Sequence, residues 1–171
     1  PPNKLNSWIN LYNQGQLKLA LLHTSQLLES YPRSVILYNL SGASNAGLMQ
    51  FDAAIKSYKQ ALKIKPDYVD ALNNMGVAQN SQGDAEAAIQ SYKSAIKIKP
   101  DYAEAHNNMG KALNSKGDQV EAIKSYAQAI KANPAYVDAH NNMGNTLQDK
   151  GDLEGAINCY NKALSIQPDY S

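Results

Sequence analysis

The chain has 171 residues, of which 43% are hydrophobic, and its formal net charge at pH 7 is +1. The hydrophobic share excludes wholesale disorder, and the near-zero charge argues against electrostatic capture of nucleic acid. No apolar run is long enough to cross a membrane, and the single Cys159 has no intramolecular disulfide partner, which is typical of a reducing compartment. We therefore expect a cytoplasmic location.

The sequence repeats itself every 34 residues. Proline recurs at this interval from Pro32 to Pro168, glycine from Gly42 to Gly144, and tyrosine from Tyr58 to Tyr160. A fixed period of this length indicates a solenoid of stacked units. Numbering each unit 1 to 34, with proline at position 32, gives a single array over 1–171 with repeats 1–34, 35–68, 69–102, 103–136 and 137–170. Because no polar capping helix follows the last unit, we expect the array to be part of a longer protein.

The spacing within a repeat predicts two helices, A and B. In repeat 4, core-type residues from His106 to Leu113 recur at i, i+3, i+4 and i+7, and the glycine of "NSKGD" ends this helix. A second run from Ala122 to Ile130 has the same spacing and ends before Pro134, which cannot continue a helix. We expect Gly110 to face Ala122 and Ala129, so that small residues bring the two helices close together.

The first two repeats differ from the others in helix A. In repeat 1 the apolar face comprises Leu5, Trp8, Ile9 and Tyr12, one position later than elsewhere, and Trp8 occupies the glycine position. In repeat 2 the residues predicted to face away from helix B are apolar, namely Ile36, Leu40, Ala43 and Gly47. The N-terminal hairpin is therefore expected to pack differently from the rest.

This pattern resembles the tetratricopeptide repeat. The residues that carry the resemblance in repeat 3 are Leu72, Gly76, Gln79, Ala88, Tyr92, Ala95 and Pro100. The resemblance implies an all-α fold, a right-handed α-solenoid of five helix-turn-helix hairpins, in which helix A lines a concave groove and helix B forms the convex back. It also implies a protein–protein interaction module and not an enzyme.

The residues left for the groove side of helix A are mostly polar. They occupy positions 2, 5, 6, 9, 12 and 13 of each repeat, and amides dominate them. Because an amide both donates and accepts, it can pair with a peptide backbone whatever the peptide's side chains. With helices about 8–10 Å apart and an extended chain advancing about 3.3 Å per residue, one amide per repeat would contact every third residue. The candidate peptide-binding residues are Asp70, Asn73, Asn74, Glu104, Asn107, Asn108, Lys111, Asp138, Asn141, Asn142 and Asn145.

A narrower resemblance, in "DAHNNMGNTL" and "NPAYVDAH", is to the superhelical repeats of the O-GlcNAc transferases and to related bacterial tetratricopeptide proteins. It implies an asparagine ladder at position 6 that holds a peptide backbone, and an acidic ladder at position 2 that selects side chains. The position-6 residues are Asn74, Asn108 and Asn142. It also implies that the array selects protein substrates for a larger transferase.

Other interpretations of these residues stay open. The asparagines could instead bond to each other between repeats, or simply be solvated. The acids Asp70 and Glu104 end the motifs "DYVD" and "DYAE", which are typical of capping boxes, and an acid also suits a helix N-terminus.

No catalytic motif or cofactor site is indicated. His106 and His140 lack a ligand partner at i+4, and Cys159 has no basic neighbour to activate its thiol. The alternatives to an extended protein or peptide partner are a self-assembling scaffold, with a homodimer formed through the C-terminal repeat, and, more remotely, single-stranded RNA. The lysines oppose the RNA alternative because they are predicted to lie on the outer side of helix B.

Overall fold

The computed structural model describes residues 2–168, with side chains from Ser7 onward. The expectation for Leu5 therefore lies outside the described side chains. The described residues form ten helices and no strands. They are α1 (Pro2–Asn13), α2 (Leu17–Ser30), α3 (Val35–Gly47), α4 (Phe51–Ile64), α5 (Val69–Ser81), α6 (Ala85–Ile98), α7 (Ala103–Ser115), α8 (Gln119–Ala132), α9 (Val137–Asp149) and α10 (Leu153–Ile166). The odd-numbered helices are the A helices and the even-numbered ones are the B helices, as the spacing predicted.

Position 15 of each repeat reverses the chain between helix A and helix B. Gly83, Gly117 and Gly151 have φ of 93°, 86° and 83° there, in the left-handed region that glycine adopts without steric cost. In repeat 2 the same turn is made by Met49, with φ of 59° and a side chain that is 75% exposed. This backbone is strained, because a Cβ disfavours the left-handed conformation.

Helix B ends where proline requires it. In α4 the last helical residue is Ile64, and Lys65, which precedes Pro66, is extended at φ −135° and ψ 92°. The proline ring disfavours the helical conformation in the residue before it, so the helix stops at this point. The residues preceding Pro134 and Pro168 are extended in the same way.

The chain divides into two compact units, Pro1–Gly83 and Asp84–Ser171, and each is described by itself. The division falls in the A–B turn of repeat 3. In the first unit, α4 and α5 form a core in which Ala54, Tyr58 and Ala61 pack against Ala71 and Ala78. The first repeat joins this unit through Trp8, which is buried and donates from Nε1 to Oγ of Ser44 at 3.1 Å.

The second unit has a core between α6 and α7 and two complete hairpins. Ala88, Ile89 and Tyr92 of α6 pack with Ala112 of α7. The hairpins α7–α8 and α9–α10 follow, and α8 packs against α9. In residues 2–168, none of the helices has the length and apolar character needed to cross a membrane.

The glycine at position 8 of helix A makes room for the tyrosine at position 24 of helix B. A Cβ added to Gly110 would lie 2.5 Å from Cε1 of Tyr126, and one added to Gly42 would lie 2.4 Å from Cε1 of Tyr58. We expected Gly110 to face Ala122 and Ala129, and the atoms nearest to its Cβ position are those of the Tyr126 ring. The close approach is between a glycine and an aromatic ring.

Candidate functional site

The candidate residues occupy positions 2, 5, 6, 9, 12 and 13 of the A helices, and in each compact unit we call this side of its own A helices the A-helix face. Within the first unit, Asn74 of α5 donates from Nδ2 to Oδ1 of Asn39 on α3 at 3.2 Å. Within the second unit, Asn142 of α9 donates in the same way to Asn107 of α7 at 3.0 Å. In both cases a position-6 amide is tied to the position-5 amide of the preceding repeat.

These hydrogen bonds leave part of each position-6 amide unused. Asn74 and Asn142 are half-buried, as is Asn108 at the same position of repeat 4. A primary amide has two N–H groups and a carbonyl with two lone pairs, so one donated bond leaves the carbonyl and one N–H of Asn74 and Asn142. The Oδ1 atoms of Asn74 and Asn142 are not among the buried polar atoms that lack a partner in the described structure. These two carbonyl oxygens are therefore open to solvent or to a ligand.

The position-5 asparagines do not share this exposure. Asn73 is fully buried and Asn107 is 3% exposed, whereas Asn141 is half-buried. The expectation that position 5 lies on the open groove side is thus wrong for Asn73 and Asn107. The physical reason is helix geometry. Adjacent residues point about 100° apart, so when position 6 is half-exposed, position 5 turns toward the neighbouring helices.

The three acids lie at the exposed starts of A helices. Asp70, Glu104 and Asp138 are in the first turns of α5, α7 and α9. The capping boxes expected from "DYVD" and "DYAE" are not formed, because the N-cap residues are Tyr68 and Tyr102 and neither cap makes a side-chain hydrogen bond. The acids still suit the positive end of the helix dipole.

Position 9 supplies the remaining candidate residues. Lys111 and Asn145 are both exposed. The Oδ1 atom of Asn145 lies 2.7 Å from the hydroxyl of Tyr160, which also lies 2.8 Å from Oε1 of Gln148. Asn145 is therefore held by its own hairpin, whereas the Lys111 side chain points into solvent.

Two sets of contacts between repeats were missed from the sequence. Positions 3 and 10 of the A helices are among the most buried in the chain, with Ala71, Ala105, Ala112 and Ala139 all at 0% exposure. The detectable signal was a pair of small residues seven positions apart, repeated in three units. In addition, position-4 histidines bond to the loop that precedes their helix. Nε2 of His106 lies 2.9 Å from the carbonyl oxygen of Pro100, and Nε2 of His140 lies 3.0 Å from that of Pro134.

No metal or thiolate chemistry emerges from the described residues. Within 2–168, no cluster of three or more His, Cys, Asp or Glu residues could hold a metal ion. Burial, and then the nearby Asp152 carboxylate, raise the pKa of the Cys159 thiol above its usual value. The thiol is therefore protonated and weakly nucleophilic at neutral pH.

Helix α10 exposes residues that are covered in the other B helices. Tyr58, Tyr92 and Tyr126 are 1–2% exposed, but Tyr160 at the same position is only half-buried. Around it, Leu153 is 61%, Ile157 57% and Leu164 46% exposed. These four residues follow i, i+4, i+7 and i+11 spacing, so they form one apolar stripe along α10.

Comparison with known proteins identifies the repeat. A family model described as a TPR repeat matches residues 50–83, 80–117 and 110–151, and one described as a tetratricopeptide repeat matches 137–170. No curated protein sequence matches the chain.

Solved structures share the fold at low sequence identity. The crystal structure of MamA is 23% identical, covers 93% of both chains and has a TM-score of 0.81. TTC0263, a thermophilic TPR protein from Thermus thermophilus, is 21% identical, covers 98% of this chain and 92% of its own, and has a TM-score of 0.82. YrrB, described as a TPR protein with an unusual peptide-binding site, is 23% identical, covers 98% of this chain and 86% of its own, and has a TM-score of 0.72.

Proposed function

The chain belongs to the tetratricopeptide repeat family, and we propose that it is a protein–protein interaction module whose A-helix face binds an extended polypeptide segment. Membership of the family supports the general role. The peptide-binding site described for YrrB shows that the same fold can take a peptide in another protein.

The observation that carries the proposal is the fixed orientation of the position-6 amides. Asn142 is held by Asn107, and Asn74 by Asn39, so neither side chain must be ordered when a ligand arrives. An amide that is already ordered loses less side-chain entropy on binding. Its open carbonyl oxygen can accept a hydrogen bond from a backbone N–H of an extended segment. The asparagine–asparagine hydrogen bonds between repeats thus orient the amides that bind the ligand. On this proposal the same asparagines have both a structural and a ligand-binding role.

Charge defines the ligand further. The exposed acids Asp70, Glu104 and Asp138 lie at the starts of A helices, and Lys111 is the one exposed lysine among the candidate residues of the A helices. Eight exposed lysines lie on the B helices of repeats 2 to 5. Those lysines are Lys56, Lys59, Lys63, Lys93, Lys97, Lys124, Lys131 and Lys162. We therefore expect neutral or basic segments to bind better than acidic ones, with an affinity for basic segments that falls as salt is added.

The test is selection of ligands from a random 12-residue peptide display library, followed by affinity measurements on synthetic copies. Asn142→Ala and Asn74→Ala should each weaken binding by about tenfold, since each removes hydrogen bonds that cost about 1–2 kcal/mol when lost. The matched control is Asn158→Ala, because Asn158 is an exposed amide on helix B.

Backbone recognition can be checked separately from side-chain recognition. N-methylating single peptide bonds of a selected ligand removes one N–H at a time, and at least one position should abolish binding. If no methylated position matters, or if Asn158→Ala is as damaging as Asn142→Ala, the amide-face proposal is wrong.

The resemblance to the O-GlcNAc transferases extends the proposal to a substrate-selecting role within a larger transferase. The reading frame beyond Ser171 tests this point directly. A frame that encodes no transferase domain removes this part of the proposal and leaves peptide binding intact.

A second candidate function, self-association, is favoured by the apolar stripe of α10. Leu153, Ile157, Tyr160 and Leu164 carry no charge, so two copies could pair them around a twofold axis. Sedimentation velocity over a range of concentrations should then show a dimer that Ile157→Asp removes. The control is Leu22→Asp, since Leu22 is 55% exposed on α2 and lies outside the stripe. A wild-type chain that stays monomeric at all concentrations excludes this candidate.

A further inference from the structure

Repeat 2 carries an aliphatic surface where the later repeats carry acids and amides. Ile36, Leu40 and Ala43 occupy positions 2, 6 and 9 of α3, which lie on one side of the helix at i, i+4 and i+7 spacing. Ile36 is 48% exposed, and Leu40 and Ala43 are half-buried. The same positions are Glu104, Asn108 and Lys111 in repeat 4 and Asp138, Asn142 and Asn145 in repeat 5.

Val77 of α5 extends this surface. The hydrogen bond from Asn74 to Asn39 fixes how α5 lies beside α3. Val77 occupies position 9 of α5, as Ala43 does of α3, about one turn beyond the bonded asparagines, and the two helices pack together. Val77 is 39% exposed. We name Ile36, Leu40, Ala43 and Val77 together the aliphatic patch, and all four belong to the first compact unit.

We propose that the aliphatic patch binds the aliphatic side chains of the extended polypeptide, so that the preferred partner segment carries Leu, Ile or Val. This inference rests on the proposed function, because the patch belongs to the same A-helix face as the amides. Exposed large aliphatic side chains that lie together on a surface mark contact sites more often than isolated ones do.

The neighbouring amide pair decides what kind of ligand fits. Asn74 keeps an open carbonyl oxygen next to the patch, and this atom can accept a hydrogen bond from a free backbone N–H of a ligand. A helical ligand has none along its length, because its own hydrogen bonds use them. An extended segment offers free backbone groups, and its alternate side chains point to the same side, which suits a surface of aliphatic groups beside an amide.

The test replaces the patch by the residues of the later repeats. The double substitution Ile36→Asp and Leu40→Asn copies repeat 5 into repeat 2, and circular dichroism checks that the helices are retained. The probes are peptides selected on the wild-type chain from a random 12-residue display library, resynthesised with each aliphatic residue changed in turn to serine. The control variant is Leu22→Asn, which alters an exposed leucine of α2 outside the patch.

We expect selected peptides to share at least one aliphatic residue, and its change to serine to weaken binding by about tenfold or more, the cost of leaving one such side chain unburied. The double variant should bind the aliphatic peptide more weakly by the same factor. It should then bind that peptide and its serine copy equally well. Methyl NMR of the wild-type chain provides an independent measurement, since the Ile36, Leu40 and Val77 methyl signals should shift on binding.

Selected peptides without a common aliphatic residue, or equal binding by the double variant and the wild type, would overturn the inference and leave backbone recognition by the amides standing. Methyl shifts confined to residues outside the patch would also overturn it. Failure of the library to yield any ligand would count against both the inference and the proposed function. A ligand that binds as an amphipathic helix, shown by a gain in helical circular dichroism, would reject the extended mode.

Discussion

Substituting alanine for the position-8 glycine should destabilise one hairpin and leave the stability of its neighbour nearly unchanged. In Gly110→Ala, the new Cβ would lie 2.5 Å from Cε1 of Tyr126, about 1 Å inside the usual contact distance. Tyr126 is 2% exposed, so its ring has no open space to move into. Overpacking of this kind costs about 3 kcal/mol at the upper end of its range, and better helix propensity returns about 1 kcal/mol. The net loss is about 2 kcal/mol.

Gly144→Ala creates almost the same contact, 2.6 Å from Cε1 of Tyr160. Tyr160 is only half-buried, so its ring can swing outward into solvent. The overpacking cost should then fall to about 1 kcal/mol or less, which the gain in helix propensity offsets. This variant should have nearly wild-type stability.

Urea unfolding followed by far-UV circular dichroism measures the difference between the two variants. Because repeat arrays do not always unfold in one step, amide hydrogen exchange of α7 and α9 should accompany it. Equal destabilisation by both substitutions would refute the reasoning, because it would mean that burial of the tyrosine does not decide the cost. Stabilisation by Gly110→Ala would refute it as well.

Three further predictions concern features of single repeats. Met49→Gly should raise the free energy of unfolding by about 0.5–1 kcal/mol, because it removes the strain of a left-handed backbone at a residue with a Cβ. The converse variant Gly83→Met should lower the free energy of unfolding by a similar amount, and thermal unfolding of both variants checks this. Asn107→Ala should cost about 1–2 kcal/mol in urea unfolding, because it leaves Asn142 without its acceptor; Asn161→Ala, at an exposed site, should cost nearly nothing. Burial raises the pKa of Tyr126 to about 12, so its contribution to stability is present below pH 10 and lost as the pH rises toward 12. The part of the tyrosinate absorbance that is missing in Tyr126→Phe should rise together with loss of helix, and its rise without unfolding would contradict this.

The positions of the helices could be predicted closely from the sequence, because the residues that begin and end a helix recur from repeat to repeat. Glycine at position 15 and proline at position 32 limit both helices, and the spacing of small and large residues identifies their packed sides. Repeat 2 lacks the glycine at position 15 and still makes the same turn, because Met49 adopts the left-handed backbone there despite the strain.

The sequence could not determine which neighbour each helix face meets. In a solenoid, an A helix packs against its own B helix and also against helices of adjacent repeats. Ala105 and Ala112 were therefore not recognised as contacts, although they are fully buried. The pair "NN" in repeats 3, 4 and 5 posed the same difficulty, because nothing in two adjacent asparagines tells which one faces solvent. The structure assigns burial to Asn107 and partial exposure to Asn142, and links them.

The side-chain hydrogen bonds between repeats span similar distances along the chain. Trp8 and Ser44 are 36 residues apart, the two asparagine pairs 35, and Gln82 and Asp52 30. The entropy lost in closing a loop depends on its length, so every repeat meets nearly the same closure cost as the one before. Adding or deleting one whole repeat would leave this cost unchanged for the others. Duplication can therefore change the number of repeats in such a chain, while the folding rate of each new repeat stays similar to that of its neighbours.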